Sequence, residues 1–492
     1  MLTAWSEGMR WAKPLGQLCA DLPLAVEGKP DVVIHDIVED TRDITAGCLF
    51  VARPGGHHDG RDLVPEAERR GAVAVLSDAT GCARASVATA CCPDPDAMGV
   101  VLADRLFGGP SVPIVAITGT NGKTTTATFL QHFLGGGLIG SIEVDDGRDR
   151  TRARLTTPRP IELRRIFARM ADHGCPWAVM EASSHGIALG RMEDLPVVGA
   201  VFTNLSGDHL DFHRTMEVYA AAKRGLFAGL SGSGFSVLNL DDPASSIMSA
   251  ASTARSITCR MRSDGHADVH VTHGEGVHLS TAAGNWTLPM ELPGEHNAMN
   301  LAQAWAAAHA CGESPEALLE RARSLPTPRG RLEPVHGGGP GPRVYVDFAH
   351  TDGALGTALQ ALRPLVSEPG RLIVVFGCGG DRDQHKRPRM AAIACELADE
   401  VHVTSDNPRT EAPGDIIDDI LVGTSNSARV AVEQDRARAI AGAIEQARPE
   451  DVILVAGKGH EAEQIIGTER LPFDDRAVAM AALSSRGEAV RT

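Results

Sequence analysis

Three features of the 492-residue sequence predict an α/β fold in three domains. After residue 327, short β-branched runs alternate with helical segments, the pattern of a doubly wound parallel sheet with right-handed crossovers. Another such run, 114–118, leads through a Gly-rich loop into a helical stretch. A breaker cluster at 108–113 (GGPSVP) separates that run from an N-terminal segment of short strands and loops. At roughly 150 residues per domain the length agrees with three. The expected boundaries are 1–110, 111–326 and 327–492.

In the first segment, 61–76 reads as a βα-like piece. The middle block offers strands at 114–118, 177–180, 197–202 and 235–240. Residues 256–292 alternate like hairpins, and 297–311 is Ala-rich and helical. In the last block the expected strands are 343–347, 371–376, 400–404, 428–432 and 451–455, with helices at 354–365, 387–398, 414–421 and 435–447. Polar clusters 347–350, 378–383, 406–409 and 457–460 follow directly on these strands, where doubly wound sheets carry their ligands.

Composition narrows the function. With 47 Lys plus Arg against 63 Asp plus Glu, the net charge is −16, which argues against a nucleic-acid binder or a polybasic membrane protein. No run is long and apolar enough to cross a bilayer. Residues 1–24 lack the layout of a secretory leader, so a cytoplasmic location is expected. Ten cysteines without framework spacing are expected to be reduced, mostly buried thiols rather than disulfides or zinc ligands.

The strand–GTNGKTT–helix order is that of a phosphate loop. Backbone N–H groups of Gly119, Thr120, Asn121 and Gly122 can cradle phosphate, Lys123 can reach its oxygens, and Thr124, followed by Thr125, can ligate Mg²⁺. Ile117 replaces the first glycine of the full Walker pattern, so the match is to the shorter GxxGK[ST] form. Glu181 and the segment 203–213, with His209, end two further strands, where carboxylate and imidazole groups can serve a metal and phosphate. Ser183 and Ser184 could equally be helix caps. Local chemistry alone makes Lys223 a solvated helical lysine.

The motifs ITGTNGKTTT, LTTP, MEASSHGIALGR, FTNLSGDHLDFH, AAKRGLF, GEHNAMN, RGRLE, DFAHT, GCGGDRDQHKRP, TSDNPR and AGKGHE occur in that order along the chain. In this the sequence resembles the Mur ligase family, specifically the branch that adds a third amino acid to UDP-MurNAc-L-Ala-D-Glu. The likeness covers essentially the whole chain, including DTRDITAGCLFVARPGGHHDG, which resembles the family's uridine-binding module. It implies an N-terminal UDP-substrate domain, a central P-loop ATPase-like domain and a C-terminal Rossmann-like domain binding the amino acid.

The resemblance also implies roles. ATP would be held by Gly119 to Thr125, Asn297, Asn300, Arg331 and Asp347. Catalysis would fall to Lys123, Glu181, His209 and Lys223, with Mg²⁺ served by Thr124, Glu181, His209 and a carbamylated Lys223. Thr41, Gly56, His57, His58, Thr156, Thr157, Ser183 and Arg191 match the UDP-MurNAc-dipeptide site. Arg382, Asp406, Asn407, Pro408, Arg409, Gly457 and Glu461 match the amino-acid site. In the family, DNPR accompanies meso-diaminopimelate, and Arg409 can grip a distal carboxylate bidentately. The bland alternative pairs Arg409 with Glu411 or another local acid. Arg159, Leu189, Phe348 and Asp352-Gly353 depart from the family pattern without removing a catalytic group.

The expected protein is thus a monomeric, cytoplasmic, ATP- and Mg²⁺-dependent amide ligase of peptidoglycan synthesis with small-molecule partners. A ligase of a specialised pathway with another acceptor, including a folylpolyglutamate-type enzyme, is the first alternative. A dead Mur-like regulator is countered by Lys123, Glu181, His209 and Lys223, and a GTPase switch by the lack of an NKxD segment.

Overall fold

The computed structural model describes residues 11–55, 59–262, 265–337, 341–425 and 427–489. Its contacts gather into two units, one made of Met1–Ile117, Leu134–Ala200 and Ala221–Gly234, the other of Thr118–Phe133, Val201–Ala220 and Phe235–Thr492.

In the first unit, strands Ala25–Glu27, Ala88–Cys91, Ala72–Ser77, Cys48–Ala52 and Asp36–Val38 form a sheet in that order. All its pairings are parallel except that of the first strand. The helix Pro95–Phe107 covers it, burying Leu102, Leu106 and Phe107 against Val51, Ala74 and Leu76. Asp94 caps that helix by accepting the Ala97 N–H, and Gly108 ends it at φ +93°, a left-handed conformation natural to glycine. The sequence suggested only short strands and loops here, because strands of two to six residues carry little periodicity. This unit also holds strands Arg150–Arg152, Glu143–Asp145, Gly137–Ile139 and Ala178–Glu181, the last paired in parallel with Ile114–Thr118.

The thiol expectation is corrected at one place: Cys82 and Cys91 are joined as a disulfide with Cα atoms 6.2 Å apart. The short helix Ala79–Cys82 ends beside the strand Ala88–Cys91, a proximity that a nine-residue spacing does not announce.

In the second unit, Phe235–Asn239, Arg255–Arg260 and Val269–Gly274 pair in parallel, and only then do Gly276–Thr281 and Gly284–Leu288 continue antiparallel. The expected hairpins are therefore confined to the residues after Val269. The Ala-rich helix Glu295–Ala310 is buried over most of its length, which its small side chains allow.

The remaining sheet runs Glu333–Val335, Arg343–Asp347, Val452–Ala456, Leu372–Phe376, Glu400–Val403 and Arg429–Val432. Every pairing after the first is parallel. Helices Asp352–Leu362, Lys386–Leu397 and Pro413–Leu421 bury their apolar faces on one side, while Arg436–Gln446 and Asp475–Ala489 cover the other. This is the doubly wound arrangement expected, and it brings residues 347–350, 378–383, 406–409 and 457–460 to the carboxyl ends of four strands.

Candidate nucleotide and amino-acid site

The loop after Ile114–Thr118 is held by side chains rather than by its own backbone alone. The Thr120 amide donates to the Asn204 carbonyl at 2.8 Å, and the Asn121 amide to Asn204 Oδ1 at 3.0 Å. Thr203 Oγ1 and Asn204 Nδ2 donate back to the Asn121 carbonyl. Thr120 Oγ1 lies 3.1 Å from the Tyr219 hydroxyl and accepts the Ser206 amide. Gly122 sits at φ +84° with Asn300 against it, so a Cβ there would run into Asn300 Oδ1. Lys123 opens the helix Lys123–Leu134, and its ammonium donates to the Gly119 and Thr120 carbonyls at 3.0 and 2.8 Å. The loop thus presents a helix N-terminus and a cation together, a ready anion cradle.

Asn297 and Asn300 lie one turn apart on a buried helix face, Asn300 Nδ2 donating to Asn297 Oδ1 and Asn297 Nδ2 to the Pro293 carbonyl. Arg331 Nη2 donates to Thr124 Oγ1 at 3.2 Å, and its guanidinium lies over the Phe348 ring, 5.0 Å from the centroid. The aromatic face of Phe348 therefore has a use, since it carries the Arg331 guanidinium. Asp347 accepts the amides of Leu332 and Ala349; burial pushes its carboxyl above the usual range against the pull of Arg331. His209, at φ +55°, keeps Nε2 3.6 Å from the Asp208 carboxylate.

Among the residues matched to the amino-acid site, Asp406, Asn407 and Pro408 are buried, Arg409 and Glu461 partly so, and Arg382 is exposed. Gly457, at φ +118°, leaves room for the Asp406 carboxylate. Arg409, at φ +52°, donates through Nη1 to the Gly380 carbonyl at 2.6 Å. Glu411 is taken by the buried Arg387 at 2.9 Å, so the bland pairing of Arg409 with Glu411 is not formed. Lys458, not singled out in the sequence, bonds both Asn407 and Glu461.

In the first unit, Glu181 is buried and accepts the Ser141 amide at 2.8 Å and the Ser141 hydroxyl at 2.9 Å. Ser141 Oγ also lies 3.1 Å from the Thr156 hydroxyl, which can donate to it. Thr157 Oγ1 bonds the Glu181 carbonyl and lies 3.0 Å from Ser183 Oγ. Ser183 accepts the Gly186 amide as a helix cap, and Arg191 donates to the Thr157 carbonyl. Thr41 is buried at the head of the turn Thr41–Asp43. Leu189 is exposed. Lys223, in the helix Met216–Ala228, is 1% exposed, which corrects the solvated-lysine reading. Gly56, His57 and His58 lie outside the described residues. Ser141, Asn204, Tyr219 and Lys458 were missed because each acts on a residue far away in sequence; Asn204 and Lys458 stand inside recognised motifs. Among the described residues no three His, Cys, Asp or Glu side chains gather as a metal site, and no helix is long and apolar enough to cross a membrane.

Three family models match in succession: Mur ligase family, catalytic domain, over 33–100; Mur ligase middle domain, over 117–308; and Mur ligase, glutamate ligase domain, over 330–459. The UDP-N-acetylmuramoyl-L-alanyl-D-glutamate–2,6-diaminopimelate ligase of Chlamydia trachomatis serovar D is 40% identical over 484 residues, covering 96% of this chain and 99% of that one. A solved ligase of the same description superimposes with a TM-score of 0.64 at 30% identity, covering 96% and 99% of the two chains. The MurF ligase of Thermotoga maritima, solved with ADP, shares the fold at a TM-score of 0.65 and 19% identity over 93% of this chain and 98% of its own. The matched models in chain order and the full-length likeness agree with the α/β architecture described above, and the chain belongs to the Mur ligase family.

Proposed function

We propose that the chain is an ATP-dependent, ADP-forming ligase that joins 2,6-diaminopimelate, as the meso isomer, to the D-Glu γ-carboxylate of UDP-MurNAc-L-Ala-D-Glu in peptidoglycan synthesis. The observation that carries this reading is full-length likeness to a ligase of that name, together with the phosphate cradle at Gly119 to Thr125. We assign 1–110 to the UDP-substrate domain, 111–326 to the ATP domain and 327–492 to the amino-acid domain of a cytoplasmic monomer.

The γ-carboxylate attacks the γ-phosphorus of ATP, ADP leaves, and an acyl phosphate forms. The diaminopimelate amine then attacks the acyl carbon, inorganic phosphate leaves, and one proton is released. Lys123 and the loop amides neutralise phosphate charge, which is where most of the rate gain arises in phosphoryl transfer. Arg331 and Asp347 orient the nucleotide from the last domain, and Asn297 and Asn300 meet its base. Thr41, Thr156, Thr157, Ser183 and Arg191 hold the UDP-linked acceptor. Asp406, Asn407, Arg409, Gly457 and Glu461 receive the amino acid, with Arg409 on the distal carboxylate.

Magnesium suits the donors this reading supplies. The Thr124 hydroxyl, the Glu181 carboxylate and the carbamate that Lys223 would carry would be hard oxygen donors, and Mg²⁺ takes few of them besides phosphate and water. His209, a nitrogen donor, suits the water around such a cation better than the cation itself. When bound, the ion supplies charge neutralisation on the phosphates.

The test is phosphate release with ATP, UDP-MurNAc-dipeptide and either diaminopimelate or L-lysine. Turnover with diaminopimelate and little with lysine is expected. Turnover with neither overturns the function, and a higher kcat/KM for lysine overturns the choice of amino acid.

A further inference from the structure

The Lys458 side chain is fully buried, 0% exposed. An ammonium removed from water is costly unless paired and hydrogen-bonded. Its partners are Asn407 Oδ1 at 3.0 Å and Glu461 Oε2 at 3.1 Å. Asn407 Oδ1 also accepts the Ile465 amide at 3.0 Å, and Asn407 Nδ2 donates to Glu461 Oε2 at 2.8 Å.

An ammonium and a backbone amide can only donate, so the atom between them must be the amide oxygen. That decides which way the Asn407 side chain faces and turns its Nδ2 to Glu461. The same ammonium holds the Glu461 carboxylate in place. The loop backbones have a separate anchor. Arg436, buried and paired with Asp475 at 2.6 Å, donates to the carbonyls of Ser405 at 3.2 Å and Ala456 at 3.0 Å, the residues just before the two motif loops. Losing Lys458 therefore leaves the strand ends tied and removes one of the two donors on Asn407 Oδ1, the Ile465 amide remaining, together with the cation that holds the Glu461 carboxylate.

We infer that Lys458 is a positioning residue for the amino-acid substrate, acting through the Asn407 amide and the Glu461 carboxylate without touching the substrate itself. This rests on the proposed function, in which those two side chains receive diaminopimelate. Lys458 bonds no group of the phosphate loop, so its loss should appear in one Michaelis constant and not in the others.

Steady-state phosphate release by the full chain tests this, with each substrate titrated in turn. Lys458→Met should raise KM for diaminopimelate about 10- to 100-fold, the equivalent of hydrogen bonds to a charged donor. KM for ATP and for UDP-MurNAc-dipeptide should stay within about twofold, and kcat within about threefold. In an Asn407→Ala background the same change should add less than about threefold, since the two residues act as one unit. If the methionine variant does not fold, Lys458→Gln, which keeps a neutral donor, should show the same pattern at smaller size. An unchanged diaminopimelate KM in a folded variant, an equal rise in all three constants, or full additivity with Asn407→Ala overturns the inference alone. A wild-type chain that releases no phosphate with diaminopimelate overturns the proposed function and this inference with it.

Discussion

Gly122→Ala separates a phosphate loop from a merely Gly-rich turn. At φ +84° a residue with a Cβ incurs about 1–2 kcal/mol of backbone strain. The added carbon would also press on the Asn300 amide, standing 3.1 Å from its Cγ and closer still to its Oδ1. Asn300 is buried and bonded to Asn297, itself bonded to the Pro293 carbonyl, so yielding costs about one hydrogen bond, roughly 1 kcal/mol. Together these come to about 2–3 kcal/mol, or roughly 30- to 150-fold in an equilibrium constant. The loop relieves the strain by moving the amides proposed to hold phosphate, so the loss should fall on KM for ATP. Gly135→Ala is the control. Gly135 follows the same helix at φ +63° with nothing within 4 Å of a Cβ, so it should lower the melting temperature while ATP kinetics stay as in the wild type. Phosphate release with ATP titrated, beside thermal unfolding, reads both. An ATP KM within about twofold of wild type for a folded Gly122→Ala chain would refute the cradle, since the loop would then bear no part of nucleotide affinity.

Three further outcomes are expected. Glu39 has a side chain 8% exposed beside Arg53, and burial pushes its carboxyl up to about 7 from the ordinary 4.5. The unfolded chain gives up that proton near 4.5 while the folded chain keeps it to about 7, so stability falls as pH rises through that window; Glu39→Gln should flatten the fall in melting temperature. Lys223→Ala should be nearly inactive and partly restored by acetate if the lysine carries a carbamate, and intact-mass measurement of an unmodified amine with normal variant turnover would defeat this. Arg409→Lys should lower kcat/KM for diaminopimelate about 10- to 100-fold through loss of the bidentate grip, with ATP kinetics unmoved; unchanged diaminopimelate kinetics would remove Arg409 from recognition.

The five parallel strands of the last sheet were legible because they are largely apolar runs of four or five residues separated by full helices, whereas its antiparallel edge strand Glu333–Val335, three residues long, was not. The strand–loop–helix turn around GTNGKTT was legible for a related reason, since its pattern is written in seven consecutive residues. The N-terminal sheet was not, because Asp36–Val38 and Ala25–Glu27 are too short to show a period. Arg255–Arg260 was misread as part of a hairpin, its parallel partner lying beyond a loop whose length a hairpin would also allow. The Cys82–Cys91 bond depends on a helix–strand approach that no spacing rule encodes.

Lys223 and Lys458 were harder still, and for one shared reason. A lysine inside a helical pattern or a Gly-rich loop is solvated in most proteins, so residue type alone points outward. Burial of these two becomes visible only with the surrounding chain in place, and its meaning only with the partners. For Lys458 the partners are named: Asn407, 51 residues away, and Glu461, 3 residues away. The proposed phosphate contacts of Gly119 to Thr125 therefore sit in contiguous sequence, although Asn204 holds that loop from far along the chain, and orientation of the proposed amino-acid site depends on a contact between two distant motifs. It follows that substitutions altering the choice of amino acid need not fall in the DNPR segment. They can fall wherever a side chain sets the direction of the Asn407 amide, which includes Lys458 and the hairpin that places the Ile465 N–H.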